Sequence, residues 1–131
     1  MEPARHSTAS FLFGYKRWAA VAQGLHIDVS AAAATEGIPC PVFITRSVYA
    51  RFIVVPSGVV DQDEAQRLWA FLAMLRVALK WADRNQSRLT YYPPFYPGNN
   101  EPQYIHLGVE CGIHDFDSHK PAITVYLPIE D

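Results

Sequence analysis

The segment from Gln62 to Ala82 constrains the fold most, because its apolar side chains recur every three or four residues. Asp61 stands three residues before Glu64, which is the spacing of a helix-capping box. The segment is therefore predicted to be one long amphipathic helix, which must bury its apolar side against another element. The predicted stripe consists of Leu68, Leu72, Leu75 and Leu79, and is broadened by Ala65, Trp69 and Phe71.

Shorter elements precede this helix. Tyr15 to Gln23 has helical spacing and stops at Gly24, a residue that favours the position after a helix. Leu25 to Val29 alternates apolar and polar residues, which predicts a half-buried strand. In that strand His26 and Asp28 are expected to face away from the core. The alanine run that follows Ser30 leaves room for one or two helical turns.

A further helix is predicted from Arg46 to about Val54. Thr45 is a competent N-cap, and Pro56 closes the segment. The first ten residues carry neither a helical nor a strand period, and are expected to be disordered. The apolar side of this helix is predicted to consist of Val48, Tyr49, Phe52 and Ile53.

After Asn85 the pattern changes to alternation and turn-forming residues. Leu89 to Tyr92, Tyr104 to Glu110 and Ile123 to Leu127 are predicted strands, and their connections suit antiparallel neighbours. The expected fold is α+β, with N-terminal helices, including the long amphipathic one, packed on a mainly antiparallel sheet. A chain of 131 residues suits a single domain, predicted to cover residues 11–131.

Charge and composition narrow the function classes. The net charge of −2 disfavours sequence-independent nucleic-acid binding, and the best apolar run, Leu68 to Leu79, is interrupted by Arg76 and too short for a membrane span. The sequence begins without a signal peptide and has only two cysteines, so a cytoplasmic location is expected. Only 18% of the residues are charged and 50% are hydrophobic, which favours an additional buried interface in a homodimer.

Four segments resemble a family of short bacterial proteins of unknown function that are carried on plasmids and other mobile elements. The segments are Gly24 to Ser30, Pro41 to Tyr49, Asp61 to Trp69 and Ala122 to Asp131. The resemblance implies a setting on a mobile genetic element and does not imply a particular reaction. This chain departs from similar chains at Cys111 to His119, where they carry a Gly-rich acidic turn.

The candidate binding residues are mainly aromatic. Rigid rings interleaved with prolines can form a recognition surface at low entropic cost. The alternative is that the rings cover the sheet edge or lie in the dimer contact. Arg67 is a further candidate, with a structural tie to Asp63 or to Glu130 and Asp131 as its alternative role. The candidates are Arg67, Trp69, Tyr91, Tyr92, Phe95, Tyr96 and His106.

No catalytic residue, metal site or cofactor is assigned. His114, Asp115, Asp117 and His119 are ligand types that a divalent metal accepts, but known ligand spacings such as a helical His-x-x-x-His are absent. This favours a polar connection between two strands. The two cysteines lack a Cys-x-x-Cys pattern and are interpreted as buried thiols. The scattered glycines match no nucleotide-binding motif.

These features favour a non-enzymatic accessory protein of a mobile element that binds an unidentified protein or small molecule. The alternative is a small enzyme or ligand-binding domain with a pocket between the long helix and the sheet, reached by Arg67 or His106. A weaker alternative, sequence-specific DNA binding, would depend on a thin basic face. That face would consist of Arg76, Lys80, Arg84 and Arg88.

Overall fold

The structure is a computed structural model that describes residues 17–60, 62–82, 87–97, 101–113 and 121–130. The predicted disorder of the first ten residues and the histidine and aspartate cluster at 114–119 lie outside these ranges. The α-helices are α1 (Arg17–Ala22), α2 (Ser30–Thr35), α3 (Arg46–Val48), which continues as a π-helical turn (Tyr49–Ile53), and α4 (Glu64–Lys80). A 3₁₀ turn (Pro128–Glu130) follows the last strand.

Most of the strands form one mixed sheet. The strands are β1 (His26–Asp28), β2 (Val42–Thr45), β3 (Arg88–Tyr91), β4 (Pro94–Phe95), β5 (Gln103–Tyr104), β6 (Leu107–Ile113) and β7 (Pro121–Tyr126). The order in the five-stranded sheet is β1-β2-β7-β6-β3, and β4 pairs with β5 separately. All pairings are antiparallel except that of β2 with β7. The α+β class and the mainly antiparallel sheet are thus confirmed, although β1 and β2 come from the helical half.

One face of the sheet carries the core. Alternate residues of the central strands, such as Val42, Ile44 and Val125, are fully buried there. Phe71, Leu72 and Leu75 of α4 belong to the same cluster. β-branched residues explain why these segments form strands, because their side chains pack well on a pleated surface.

The opposite face of the sheet is also covered at its centre. His26 was expected to face away from the core, yet only 1% of its surface is exposed. Phe43, Thr124 and Tyr126, which alternate with the core residues, are buried as well. α1 lies against β1, so a residue that faces away from the main core is still shielded from water.

Two helix starts follow capping chemistry. The Thr45 hydroxyl accepts a hydrogen bond from the Val48 backbone N–H at 3.4 Å, as predicted. The predicted start of the long helix was wrong by two residues. Its N-cap is Asp63, whose carboxylate accepts from the Gln66 N–H at 2.7 Å, and Asp61 lies outside the described residues. Asp63 and Gln66 repeat the capping-box spacing, so α4 begins at Glu64.

The predicted strand from Tyr104 to Glu110 is two strands. β5 pairs with β4 in a separate hairpin, whereas β6 joins the main sheet between β7 and β3. The Ile105 N–H donates to the Pro93 carbonyl at 3.1 Å and closes the hairpin. Because the chain leaves the main sheet here, the hairpin can lie over α4.

The C-terminal turn ties two strand ends together. Glu130 Oε2 accepts hydrogen bonds from the Thr45 hydroxyl and from the Leu127 N–H, both at 2.8 Å. Thr45 ends β2, and Leu127 directly follows β7. One carboxylate therefore secures the junction of the parallel strands.

We expect Gly108→Ala to lower the free energy of unfolding by about 1–3 kcal/mol, which is typical of an overpacked core. Gly108 lies opposite Tyr126, and an added Cβ would fall 2.5 Å from its Cζ atom. The Tyr126 ring is 4% exposed and has little room to move. Urea denaturation measures the change, with Gly112→Ala as the matched control, because its Cβ would meet nothing closer than 3.8 Å. Equal effects of the two substitutions would contradict the steric argument.

Candidate functional site

A groove of about 580 Å³ lies between α4 and the β4–β5 hairpin. α4 forms one wall, and the segment around β4 forms the other. The groove is open to solvent. The aromatic residues at its rim are therefore partly exposed, with Trp69 at 60% and Tyr96 at 46%. Its main apolar wall residues are Trp69, Phe71 and Met74 from α4 and Pro93, Phe95 and Tyr96 from the hairpin segment.

Helical spacing explains the first wall. Gln66, Ala70 and Ala73 follow each other at intervals of four and three residues, so they lie along one side of α4. Ala70 and Ala73 have no side chain beyond Cβ. The space opposite the hairpin is therefore left open, where larger residues would fill it.

The second wall is anchored by an aromatic contact. The Phe95 ring meets the Phe52 ring edge-to-face, with centroids 5.1 Å apart and an interplanar angle of 78°. Phe52 belongs to the π-helical turn, which is tied to α4 because the Tyr49 hydroxyl donates to Glu64 Oε2 at 2.6 Å. That hydrogen bond raises the pKa of Tyr49 to about 12. The hairpin, the π-helical turn and α4 are thus joined on one side of the groove.

Arg67 occupies the junction of these elements and is only 8% exposed. Its Nε–H donates to Gln62 Oε1 at 2.6 Å, and Nη1 donates to the Val54 carbonyl at 3.1 Å. Burial lowers the pKa of the Arg67 guanidinium from its ordinary value. Arginine nevertheless stays protonated in proteins, so a positive charge is present beneath the groove.

The same guanidinium reaches the hairpin. Nη2 approaches the carbonyls of Tyr96 and Pro97 at 3.4 and 3.5 Å, and the guanidinium carbon lies 5.0 Å from the centre of the Phe95 ring. Arg67 forms no tie to the Asp63 or Glu130 carboxylate, so those two alternatives were wrong, and Asp131 lies outside the described residues. Glu130 instead binds Thr45, and every hydrogen-bond partner of Arg67 in the described residues is neutral.

The structure brings only some of the predicted binding residues together. Arg67, Trp69, Phe95 and Tyr96 line the groove. Tyr91 faces the core at 9% exposure, and burial raises the pKa of its hydroxyl.

Tyr92 and His106 are placed elsewhere. Their rings stack on each other with centroids 4.7 Å apart, and neither residue lines the groove. Tyr91 is the last residue of β3 and is buried, whereas Tyr92 directly follows the strand and is 60% exposed.

Several lining residues were missed by sequence reasoning. The periodicity of α4 contained a signal for three of them. Ala70 lies about one turn after both Gln66 and Arg67, and Met74 lies one turn after Ala70. Phe52 and Ile105 had no such signal. They reach the groove only because the π-helical turn and the hairpin meet there.

The described residues contain no cluster that could hold a metal, and the pKa values of both thiols are raised. Among the described residues, no group of three or more His, Cys, Asp or Glu side chains could hold a metal ion. Cys40 and Cys111 are free and partly buried, and burial raises the pKa of both thiols. In the same residues, no helix combines the length and apolar character needed to span a bilayer.

Comparison of the chain with protein-family models, with curated proteins and with solved structures finds no match. The resemblance to a family from mobile elements therefore stays a prediction.

We expect Arg67→Met to lower the free energy of unfolding by about 1.5–3 kcal/mol, because it removes the charge-assisted hydrogen bonds to Gln62 Oε1 and to the Val54 carbonyl. Amide hydrogen exchange at Ile105 should also accelerate, since its N–H closes the hairpin that Arg67 holds. Arg51→Met is the control, because Arg51 is exposed and lies over the Phe52 ring at 5.4 Å. Unchanged exchange at Ile105 in Arg67→Met would show that Arg67 does not hold the hairpin.

Proposed function

We propose that this protein is a binding module whose groove accommodates a small, mostly apolar molecule. The observation that carries the proposal is the groove itself, whose volume of about 580 Å³ lies within the range of small-molecule sites, about 300–1,000 Å³. Apolar walls with a few converging polar groups are typical of such sites. Gln62, Gln66 and Arg67 are the polar groups here.

Exposed aromatic area supports the same proposal. Trp69 and Tyr96 present apolar surface to water at the rim of the groove. Covering apolar surface contributes roughly 25 cal/mol for each Å². A ligand in the groove would remove this area from water and also contact the alanines at the base of the wall.

The nature of the lining favours binding over catalysis. The lining residues within the described part of the chain include no Asp, Glu, His, Cys, Ser or Lys. These types supply most nucleophiles and general acids or bases in enzymes. We therefore prefer a binding module to the alternative of a small enzyme.

The wider role rests on sequence alone. We propose that the binding module is a cytoplasmic accessory protein of a mobile genetic element, on the strength of the four resembling segments. The net charge of −2 supports a ligand other than nucleic acid.

We expect the groove to bind a neutral apolar probe, N-phenyl-1-naphthylamine. Binding is measured by the increase in the fluorescence of the probe when it leaves water. Ala70→Trp should weaken binding at least about tenfold, a loss of about 1.4 kcal/mol, because the indole would fill the space beside Trp69. Ala65→Trp is the matched control, since Ala65 is also exposed on α4 but lies outside the groove lining. Failure of the wild-type protein to bind the probe, or equal binding by both variants, would refute the proposal.

We also propose that two copies associate through the C-terminal end of α4. Val77 and Trp81 lie four residues apart and are 41% and 79% exposed, so they form an apolar patch on one side of the helix end. The low share of charged residues, 18%, agrees with a surface that is partly covered by a second copy.

Sedimentation of the wild-type chain at micromolar concentration is expected to show a dimer, and Val77→Lys should shift it to a monomer by placing a charge in the apolar contact. Val60→Lys is the control, because Val60 is 93% exposed and lies outside α4. A monomeric wild-type protein would rule out the homodimer. A dimer that persists equally in both variants would place the contact elsewhere.

A further inference from the structure

The two ends of the groove differ in polarity. Gln62, Gln66 and Arg67 lie at the start of α4, whereas Met74 lies two turns further along. Residues 66 to 74 span about 12 Å at the helical rise. The groove is therefore long enough for an extended molecule that is polar at one end and apolar at the other.

Arg67 makes no ion pair with a described residue. The two carboxylates at the start of α4, Asp63 and Glu64, are hydrogen-bonded instead to the Gln66 N–H and to the Tyr49 hydroxyl. The ion pair between Arg88 and Glu110, at 3.1 Å, lies away from the groove. Arg67 is hydrogen-bonded only to amide and carbonyl oxygens. A buried cation without an anion is costly, and an anionic ligand group would relieve that cost.

The guanidinium retains donor capacity. It has five N–H bonds. The Nε–H and one N–H of Nη1 are used by Gln62 and Val54. The Nη2 contacts with Tyr96 and Pro97, at 3.4 and 3.5 Å, are longer than ordinary hydrogen bonds.

Further donors lie beside the guanidinium. The Gln66 side chain lines the groove and makes no hydrogen bond with the described residues. Its amide can donate to an oxygen that also meets Arg67.

We infer that the ligand of this groove is an amphiphilic carboxylate, with its carboxylate at the Arg67 end and its apolar body along α4 toward Met74. The inference rests on the proposed function and specifies its ligand class. Carboxylate geometry matches the donor arrangement of a guanidinium, and the apolar walls match an aliphatic or aromatic body.

Octanoate, 1-octanol and octylammonium test the inference, because they share a chain and differ in the charge of the head group. Dissociation constants are measured at pH 7 on the full chain from NMR shifts of the tryptophan indole N–H signals. Octanoate should bind at least about tenfold more tightly than 1-octanol, and octylammonium no better than 1-octanol.

Two variants separate charge from shape. Gln66→Glu should bring octanoate to the level of 1-octanol, because it adds a negative charge while leaving the hydrogen bonds of Arg67 intact. Ala65→Glu adds the same charge outside the groove lining and should preserve the preference. Arg67→Gln should abolish the preference as well. If Arg67→Gln does not fold, the comparison of Gln66→Glu with Ala65→Glu still tests whether the carboxylate binds at the Arg67 end of the groove.

The outcomes distinguish this inference from the proposed function. Equal affinities for the three probes would overturn the inference that the ligand is a carboxylate. The proposal that the groove is a binding site would still stand. Binding of none of them, together with no binding of the neutral naphthylamine, would overturn both. Octanoate binding that persists in Ala70→Trp would place the carboxylate outside the groove and overturn the inference. If a trileucine peptide binds more tightly than octanoate through its free carboxyl terminus, the ligand is the C-terminus of a peptide and the small-molecule inference is overturned.

Discussion

The parallel pairing of β2 with β7 joins the two halves of the chain, and the remaining elements are arranged around it. Val42, Phe43 and Ile44 lie beside Ile123, Thr124 and Val125. All six side chains are buried, so the pair is shielded on both faces of the sheet. This burial fits the observation that parallel strands are usually covered on both sides. β1 is added outside β2, and β6 and β3 are added outside β7. The carboxylate of Glu130 secures the ends of the central pair.

The groove exists because α4 and the β4–β5 hairpin are held apart along part of their length. Arg67 links α4 to the hairpin through backbone carbonyls, while Ala70 and Ala73 leave the intervening space open. A carboxylate in place of those carbonyls would have neutralised the guanidinium. Since its described partners are neutral, the residue that holds the walls together also supplies the positive charge at one end of the groove.

Capping chemistry and periodicity were readable from the sequence where they depend on local spacing. Thr45 was identified as a cap, and the apolar residues Val48, Phe52 and Ile53 are buried as predicted. The start of α4 was misplaced because Asp61 and Asp63 both satisfy the capping-box spacing, and one-dimensional spacing does not distinguish them. His26 was misjudged because alternation separates the two faces of a strand without showing whether the second face is covered.

In the candidate site too, features that depend on local spacing were predictable from the sequence, and contacts between distant residues were not. The sequence by itself determined the helix that forms one wall, the stiff aromatic segment that forms the other, and the absence of an obvious catalytic motif, since these follow from residue types and their spacing. Only the tertiary structure decided that Arg67 binds carbonyls of the hairpin, that Tyr91 faces the core, and that Phe52 reaches the groove. The physical reason is that these contacts join residues distant in the chain, and their formation depends on how the helix, the π-helical turn and the hairpin pack together.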